Sequence, residues 1–218
     1  MKRGAASHEF DHVFNLSVQA IEVATGAAAM GQSTKTMLAQ IVTEQLGGQM
    51  DCVRILAGDS GSVSMGFGAF NSRQAVMAGS SAHLAAMKVR QKTLLVASHL
   101  LAAAIGDLDI EGNQVIVKGA NNRKVSLRKI AKIMAGAPGF VLPGNLLPGL
   151  EATENVVIDQ MTYANGAAVA EVEVDIPTAA VMVKRIVFIH DTGRIINPMI
   201  AKGQIVGAIA HGIGKCAI

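Results

Sequence analysis

Two strand-like segments flank a helix-like segment near the beginning of this chain of 218 residues. Residues 15–25 alternate and are rich in β-branched side chains, which predicts a strand, and residues 52–59 predict a second one. Between them, apolar residues recur at helical spacing until Gly47–Gly48, namely Met37, Leu38, Ile41, Val42 and Leu46. Because both connections are short, this segment predicts a β-α-β unit.

The rest of the chain predicts helices and hairpins. A long alanine-rich helix is predicted at about 72–104, followed by a hairpin that turns at 111–113 and a short helix capped by Ser126. Two long strands are predicted on either side of residues 176–178, and a last helix begins at Pro198 with Asn197 as its cap.

These elements place the chain in the α/β class with mixed (α+β) sheets. A Pro/Gly-rich connector at 136–150 divides it into two predicted subdomains, 1–135 and 151–218.

Composition excludes several classes of protein. Aromatic residues make up 3% of the chain and its net charge is +3, so an aromatic platform for nucleic acid is not indicated. The basic segments 88–92 and 123–132 are predicted to be solvated helix faces. Cys52 and Cys216 are too few and too far apart for a disulfide framework or a zinc ribbon. The chain lacks a signal-peptide pattern, and the prolines and glycines of 133–150 exclude a membrane helix, so a cytoplasmic location is expected.

The first candidate site is Gly31-Gln32-Ser33, at the predicted start of the first helix. Unpaired backbone N–H groups and the helix dipole favour an anion there, and glycine allows a ligand close to the backbone. The glutamine amide can donate a hydrogen bond to an oxo group. An ordinary polar cap formed by Ser33 or Thr34 explains the same residues. The Walker A pattern is absent.

The second candidate site is the segment GFGAFNSRQ, residues 66–74, which opens the long helix. Gly66 and Gly68 permit close approach, Ser72 can cap the helix, and Arg73 can bind a phosphate through two hydrogen bonds. A flexible loop with a routine cap is the alternative. Two such helix starts in adjacent β-α units predict one elongated anionic ligand lying across both.

The third candidate region covers residues 190–214. Its polar residues are spaced along a turn and one helix, at Asp191, Arg194, Asn197, Gln204 and His211. A single histidine on a helix is more often structural than catalytic. Neither H-E-x-x-H nor a Cys/His cluster occurs, so protein ligands to a metal are not predicted, and no G-x-S-x-G nucleophile motif is present.

Three segments together resemble a known family: MGQSTKTMLAQIVTEQLG, VRILAGDSGSVSMGFGAFNSRQAVMAGSSAHLAAMKVR and HDTGRIINPMIAKGQIVGAIAHGIG. In this order and separation they are similar to the molybdopterin-binding large subunit of the xanthine dehydrogenase/aldehyde oxidase family, the molybdenum hydroxylases. The resemblance extends from about residue 15 to residue 214.

The resemblance implies a cofactor and its binding residues. Molybdenum would be held by the dithiolene of a molybdopterin cofactor, in the cytosine dinucleotide form, with Gln32 near an oxo ligand of the metal. The family's cofactor-contacting segments map onto Gly31, Gln32, Ser33, Gly68, Ala69, Phe70, Asn71, Ser72, Arg73, Gln204 and His211.

The resemblance also implies a reaction and partners. A small organic substrate (an aldehyde, a purine, an N-heterocycle or CO) would be hydroxylated or oxidised with water-derived oxygen. Electrons would leave through iron–sulfur clusters and FAD on partner subunits.

The chain departs from the family pattern in four ways. Ser33 replaces the second glycine of a Gly-Gln-Gly turn, and His211 stands where glutamine is frequent. The family's catalytic glutamate lies in a G-x-G-E motif beyond residue 218, and the tail KCAI is atypical, so the catalytic residue is unknown. We therefore expect a fragment that is inactive alone and needs the remaining part of the large subunit. The alternatives are a catalytically silent remnant that keeps the fold without the cofactor, and a nucleotide-binding module.

Overall fold

A computed structural model describes residues 12–16, 20–66, 68–70, 72–136, 139, 141–158 and 162–216. The chain forms two compact units, Met1–Asp159 and Gln160–Ile218. None of the helices in the described ranges is long and apolar enough to cross a membrane.

The first unit is built on a four-stranded mixed sheet in the order β3-β2-β1-β7. Its strands are β1 (His12–Leu16), β2 (Ile21–Thr25), β3 (Val53–Ala57) and β7 (Glu151–Glu154). β2 and β3 are parallel and are connected through helix α1 (Thr34–Leu46), so the predicted β-α-β unit is confirmed. The single strand predicted at 15–25 is wrong, because that stretch contains the end of β1 and all of β2, which pair antiparallel with each other.

A long helix packs against α1 and the sheet. Helix α2 (Gly79–Leu101) is preceded by a π-helical turn at Gln74–Ala78, which together match the helix predicted at 72–104. Several small residues of the turn and of the first half of α2 are fully buried, namely Ala78, Ala82, Ala85 and Ala86. A Cβ atom at Gly79 would lie 3.1 Å from Ile41 Cδ1, so the absence of a side chain lets the two helices approach closely.

A second, antiparallel sheet completes the first unit. It contains β4 (Leu108–Glu111), β5 (Gln114–Val117) and β6 (Ala120–Ser126), and it leads into helix α3 (Leu127–Met134). The Ser126 hydroxyl accepts a hydrogen bond from the Lys129 N–H at 3.2 Å, which confirms the predicted cap.

The basic residues of 88–92 are not simply a solvated face. Lys88 forms an ion pair with Glu154, and the Lys92 Nζ donates to the Glu151 backbone oxygen at 2.6 Å. These contacts connect α2 to β7, which in turn pairs with β1. Residues 151–154 therefore lie in the sheet of the first unit, and the division into units falls after the predicted connector, near residue 159.

The second unit contains a long hairpin and a helix. Strands β8 (Asn165–Asp175) and β9 (Ala180–Asp191) pair antiparallel around the predicted turn, and helix α4 spans Pro198–Cys216. Asn197 Oδ1 accepts a hydrogen bond from the Ile200 N–H at 3.1 Å, as predicted for a cap. The register places a run of apolar residues on one face of the hairpin, with His190 at its end opposite Gly166: Ala168, Ala170, Val172, Val174, Val181, Val183, Ile186 and Phe188.

Candidate functional site

The start of α1 has an unusual backbone. Gly31 has φ +95° and Ser33, the N-cap residue, has φ +63° in the left-handed region. Ser33 occupies the predicted cap position, but its side chain makes no capping hydrogen bond among the described residues. The prediction of a routine side-chain cap by Ser33 is therefore wrong. Within the part of the chain that the structure describes, no side chain caps the backbone N–H groups of the first turn, which an anion can therefore bind, and that turn carries no acidic side chain.

Thr34, the other predicted cap, has a different role. Its side chain is 2% exposed, and its hydroxyl donates a hydrogen bond to Gln74 Oε1. Thr34 therefore connects the start of α1 to the start of the next helix.

The Gln32 side chain is held between the two helix starts. Its Nε2 donates to Gln74 Oε1 at 2.9 Å and to the Ala28 backbone oxygen at 3.4 Å. Its Oε1 accepts a hydrogen bond from the Met30 N–H. Both ends of the amide are therefore oriented by neighbours before any ligand binds.

The two glycine-rich loops also touch through their backbones. A Cβ atom at Gly26 would lie 2.3 Å from Met65 O, and one at Gly66 would lie 2.4 Å from Gly26 O. No other residue type fits such a contact without movement of the backbone. Gly66, which we predicted to admit a ligand, instead admits the neighbouring loop. The two helix starts therefore lie close together, and the elongated anionic ligand across both stays a prediction.

The second loop presents exposed residues beside this contact. Gly68 has φ +71°, with no described atom within 4 Å of the position that its Cβ would occupy. Ala69 is half-buried and Phe70 is 50% exposed. Ser72 is exposed with φ +52°, and the helical turn that follows has no side-chain cap among the described residues. Asn71 lies outside the described residues.

Arg73 is largely buried, at 9% exposure. Its guanidinium carbon lies 4.8 Å from the centre of the Phe70 ring, a cation–π distance, and its Nη2 lies 3.7 Å from the Met77 sulfur. The role of Arg73 in binding a phosphate stays a prediction.

Gln204 and His211 lie on α4 in the second unit, and both are exposed. They are seven residues apart, so they share one face of that helix. Their role as cofactor contacts stays a prediction. In the described ranges, no group of three or more His, Cys, Asp or Glu side chains is arranged to hold a metal ion.

Gln74 is the residue of this site that sequence reasoning missed. It closes the segment GFGAFNSRQ, and we singled out only the glycines, the serine and the arginine before it. A buried glutamine at a helix start is a usable signal, because a buried amide requires partners. The identity of those partners depends on the packing of α1 against α2, which local sequence does not report.

Comparisons with known proteins identify the family of this chain. The model of the molybdopterin cofactor-binding domain family matches residues 15–218. The chain is 34% identical over 194 residues to subunit gamma of the 6-hydroxypseudooxynicotine dehydrogenase complex of Paenarthrobacter nicotinovorans, over 89% of this chain and 24% of that protein. It is 32% identical over 186 residues to the carbon monoxide dehydrogenase large chain of Afipia carboxidovorans, over 85% of this chain and 22% of that one.

A solved structure gives the same result. The crystal structure of quinoline 2-oxidoreductase from Pseudomonas putida 86 matches with a TM-score of 0.85 and 35% identity, over 95% of this chain and 26% of that chain. This chain belongs to the molybdopterin cofactor-binding domain family, and the predicted resemblance and fold class are confirmed. The chain spans about a quarter of the length of these relatives.

Proposed function

We propose that this member of the molybdopterin cofactor-binding domain family supplies one wall of the cofactor site in a molybdenum hydroxylase. The complete enzyme would hydroxylate or oxidise a small organic substrate (an aldehyde, a purine, an N-heterocycle or CO) with water-derived oxygen. The observation that carries the proposal is the amide contact between Gln32 and Gln74, which joins two glycine-rich helix starts.

The residues present fit a large anionic group. Gly31 and Gly68 both have positive φ, with no described atom within 4 Å of either Cβ position, so a ligand can approach the backbone at both. The first turn of α1 offers backbone donors, and Lys35 in that turn is exposed and basic. A cofactor that binds its metal through its own sulfur atoms requires donors of this kind from the protein and no metal-ligating side chains.

Each part of the wall has a proposed role. The cofactor supplies the two-electron redox chemistry when it is bound. Gln32 donates a hydrogen bond to an oxo group of the cofactor. Gly31 and Ser33 form the turn that brings its amide there. The residues of 68–73 would contact the pterin and dinucleotide, and the exposed Phe70 ring would be available to them. Gln204 and His211 are proposed to contact the cofactor from α4.

The proposal includes further partners. The cytosine dinucleotide form of the cofactor, an iron–sulfur subunit and an FAD subunit follow from the resemblance, as does a cytoplasmic location. The remaining part of a large subunit is proposed to complete the site and to cover the apolar face of the β8–β9 hairpin. On that face, Val172, Val174 and Val181 are 48%, 51% and 47% exposed. A two-stranded hairpin is only marginally stable by itself, which supports a covering partner.

Metal and pterin analysis tests this proposal. The chain purified with its neighbouring subunits should contain molybdenum and pterin, and the chain alone should contain little. Gly31→Leu should lower the molybdenum content, because a side chain would fill the space through which the cofactor approaches. Gly112→Leu is the matched control, since Gly112 also has positive φ and open surroundings but lies in the β4–β5 turn.

Two results would contradict it. A folded complex without molybdenum would identify a silent remnant. Tight binding of a simple nucleotide in calorimetry, without any molybdenum, would identify a nucleotide-binding module.

A further inference from the structure

We propose that Gln74 is the positioning residue that sets which end of the Gln32 amide faces the cofactor and frees one of its hydrogens to bind it. The inference rests on the proposed function, in which Gln32 contacts the cofactor. It concerns a residue that lies 42 positions away along the chain.

Gln74 is well placed for this role. It is 8% exposed and begins the π-helical turn Gln74–Ala78. Such turns are frequent at functional sites. Its Oε1 accepts hydrogen bonds from Gln32 Nε2 and from the Thr34 hydroxyl, while its Nε2 donates to the Ala28 backbone oxygen at 2.8 Å.

Two backbone groups, the Ala28 carbonyl and the Met30 N–H, determine the orientation of both amides. The Ala28 carbonyl can only accept, so the Nε2 of Gln74 must face it, and the Gln74 Oε1 is then presented to Gln32. The Met30 N–H can only donate, so the Oε1 of Gln32 must face it. Flipping either amide would place two donors or two acceptors against each other. The NH₂ group of Gln32 therefore faces Gln74.

One hydrogen of that NH₂ group is held weakly. The contact from Gln32 Nε2 to Ala28 O is 3.4 Å, near the limit for a hydrogen bond, whereas Gln74 Nε2 reaches the same oxygen at 2.8 Å. Because Gln74 already donates to the Ala28 carbonyl, Gln32 can give its second hydrogen to a ligand without leaving that half-buried acceptor unpaired. Without Gln74, Gln32 would be the remaining side-chain donor to that carbonyl among these contacts.

A double-mutant cycle tests the inference in the full chain with its partner subunits. Gln32→Met, Gln74→Met and the double variant are compared with wild type for the rate of molybdenum release during dialysis and for Tm. Gln91→Met is the matched control, because Gln91 is exposed on α2. We expect Gln32→Met and Gln74→Met each to release molybdenum about tenfold faster, and the double variant also about tenfold. Independent contributions would give about a hundredfold, and the control should match wild type.

The Tm values separate positioning from general destabilisation. Loss of a folded contact lowers Tm by about 2–4 °C per kcal/mol in a domain of this size, and the effects of Gln32→Met and Gln74→Met should be non-additive. If Gln74→Met fails to fold, Gln74→Glu serves instead. A buried glutamic acid in its neutral form keeps an acceptor for Gln32 and a donor for Ala28 O, so release should stay within about twofold of wild type.

The outcomes distinguish the two proposals. If Gln32→Met releases molybdenum at the wild-type rate, Gln32 does not contact the cofactor and its proposed role fails. If Gln32→Met accelerates release but Gln74→Met does not, or if the double variant multiplies the two effects, the inference about Gln74 is wrong while the role of Gln32 stands.

Discussion

The two ends of helix α1 are built in opposite ways. At its C-terminus, Gly47 adopts the left-handed conformation and Arg90 donates to the Gln45 backbone oxygen at 2.7 Å. At its N-terminus, Ser33 adopts a left-handed conformation as well, but its side chain does not cap the helix. The C-terminal end receives hydrogen bonds from other parts of the protein, whereas no described side chain caps the N-terminal end.

The C-terminal end joins α1 to two other elements. Arg90 on α2 also forms an ion pair with Asp109 on β4, at 2.6 Å. Its positive charge lies at the negative end of the helix dipole, which is the favourable arrangement. The Gly47 carbonyl accepts a hydrogen bond from the Asn113 N–H in the turn of the β4–β5 hairpin. This end therefore holds α1, α2 and the second sheet together.

The N-terminal end also has a cation nearby, but there the helix dipole disfavours it. Lys35 lies in the first turn, at the positive end of the dipole, where a cation is unfavourable unless an anion is bound. The capping contacts of α1 are thus found at the end that joins other elements. They are missing among the described residues at the end where the cofactor is proposed to bind.

The largest test of this contrast uses one glycine from each end. A Cβ atom at Gly47 would lie 2.0 Å from the Ile110 backbone oxygen, in addition to the strain of φ +57°. We expect Gly47→Ala to lower the free energy of unfolding by about 3 kcal/mol or more. Gly31→Ala, with open space around its Cβ position, should cost only about 1–2 kcal/mol. Urea unfolding of both variants checks this, and equal losses would contradict the assignment of the two ends.

Local sequence predicted the elements and the bounds of α1, but not the contacts made at its two ends. The helices, the β4–β5 hairpin and the caps at Ser126 and Asn197 follow from spacing and residue type, because their interactions are within a few residues. The separation of β1 from β2 was missed, since strand propensity continues through 15–25 and only the antiparallel pairing reveals two strands. Likewise, β7 pairs with β1 across more than a hundred residues, which no local pattern reports.

The residues of the candidate site also separate into those that local sequence predicted and those that it missed. Gly31, Gln32 and the loop around Gly68 were identified from glycine content and from the resemblance. Gln74 and the Gly26–Gly66 contact were not, because each depends on which backbone lies opposite in the folded chain. Ser33 shows a third case: its residue type predicts a cap, but the turn imposes a glycine-like conformation on it.

A smaller effect is expected at the C-terminal end from the ion pair. Hydrogen bonds from Arg90 and then from the Ile110 N–H lower the pKa of Asp109 below its ordinary value. Since the folded-state pKa is lower, the stabilisation is complete above the unfolded-state pKa of about 3.9 and is lost as pH falls through the folded value. At pH 7, Asp109→Asn should cost at most about 1 kcal/mol, because both side chains are partly exposed.

The dependence of the unfolding free energy on pH tests the contribution of this ion pair. The difference in unfolding free energy between wild type and Asp109→Asn should shrink as pH falls from 5 to 2. In an Arg90→Met background, the same substitution should have less effect at pH 7. A difference that grows towards low pH would show that the pair does not stabilise this end of α1.

The smallest expected effects are at Ser33, where one substitution, Ser33→Gly, is expected to raise the free energy of unfolding. Because the Ser33 side chain does not cap α1, Ser33→Ala should change stability by less than about 0.5 kcal/mol, whereas Ser126→Ala should cost about 1 kcal/mol. Ser33→Gly should raise the free energy of unfolding by about 0.5 kcal/mol, since glycine removes the strain of φ +63° but increases the entropy of the unfolded chain. Urea unfolding of the three variants in parallel measures these differences. A loss of about 1 kcal/mol in Ser33→Ala would mean that Ser33 caps the helix in solution, and the two ends of α1 would then be alike.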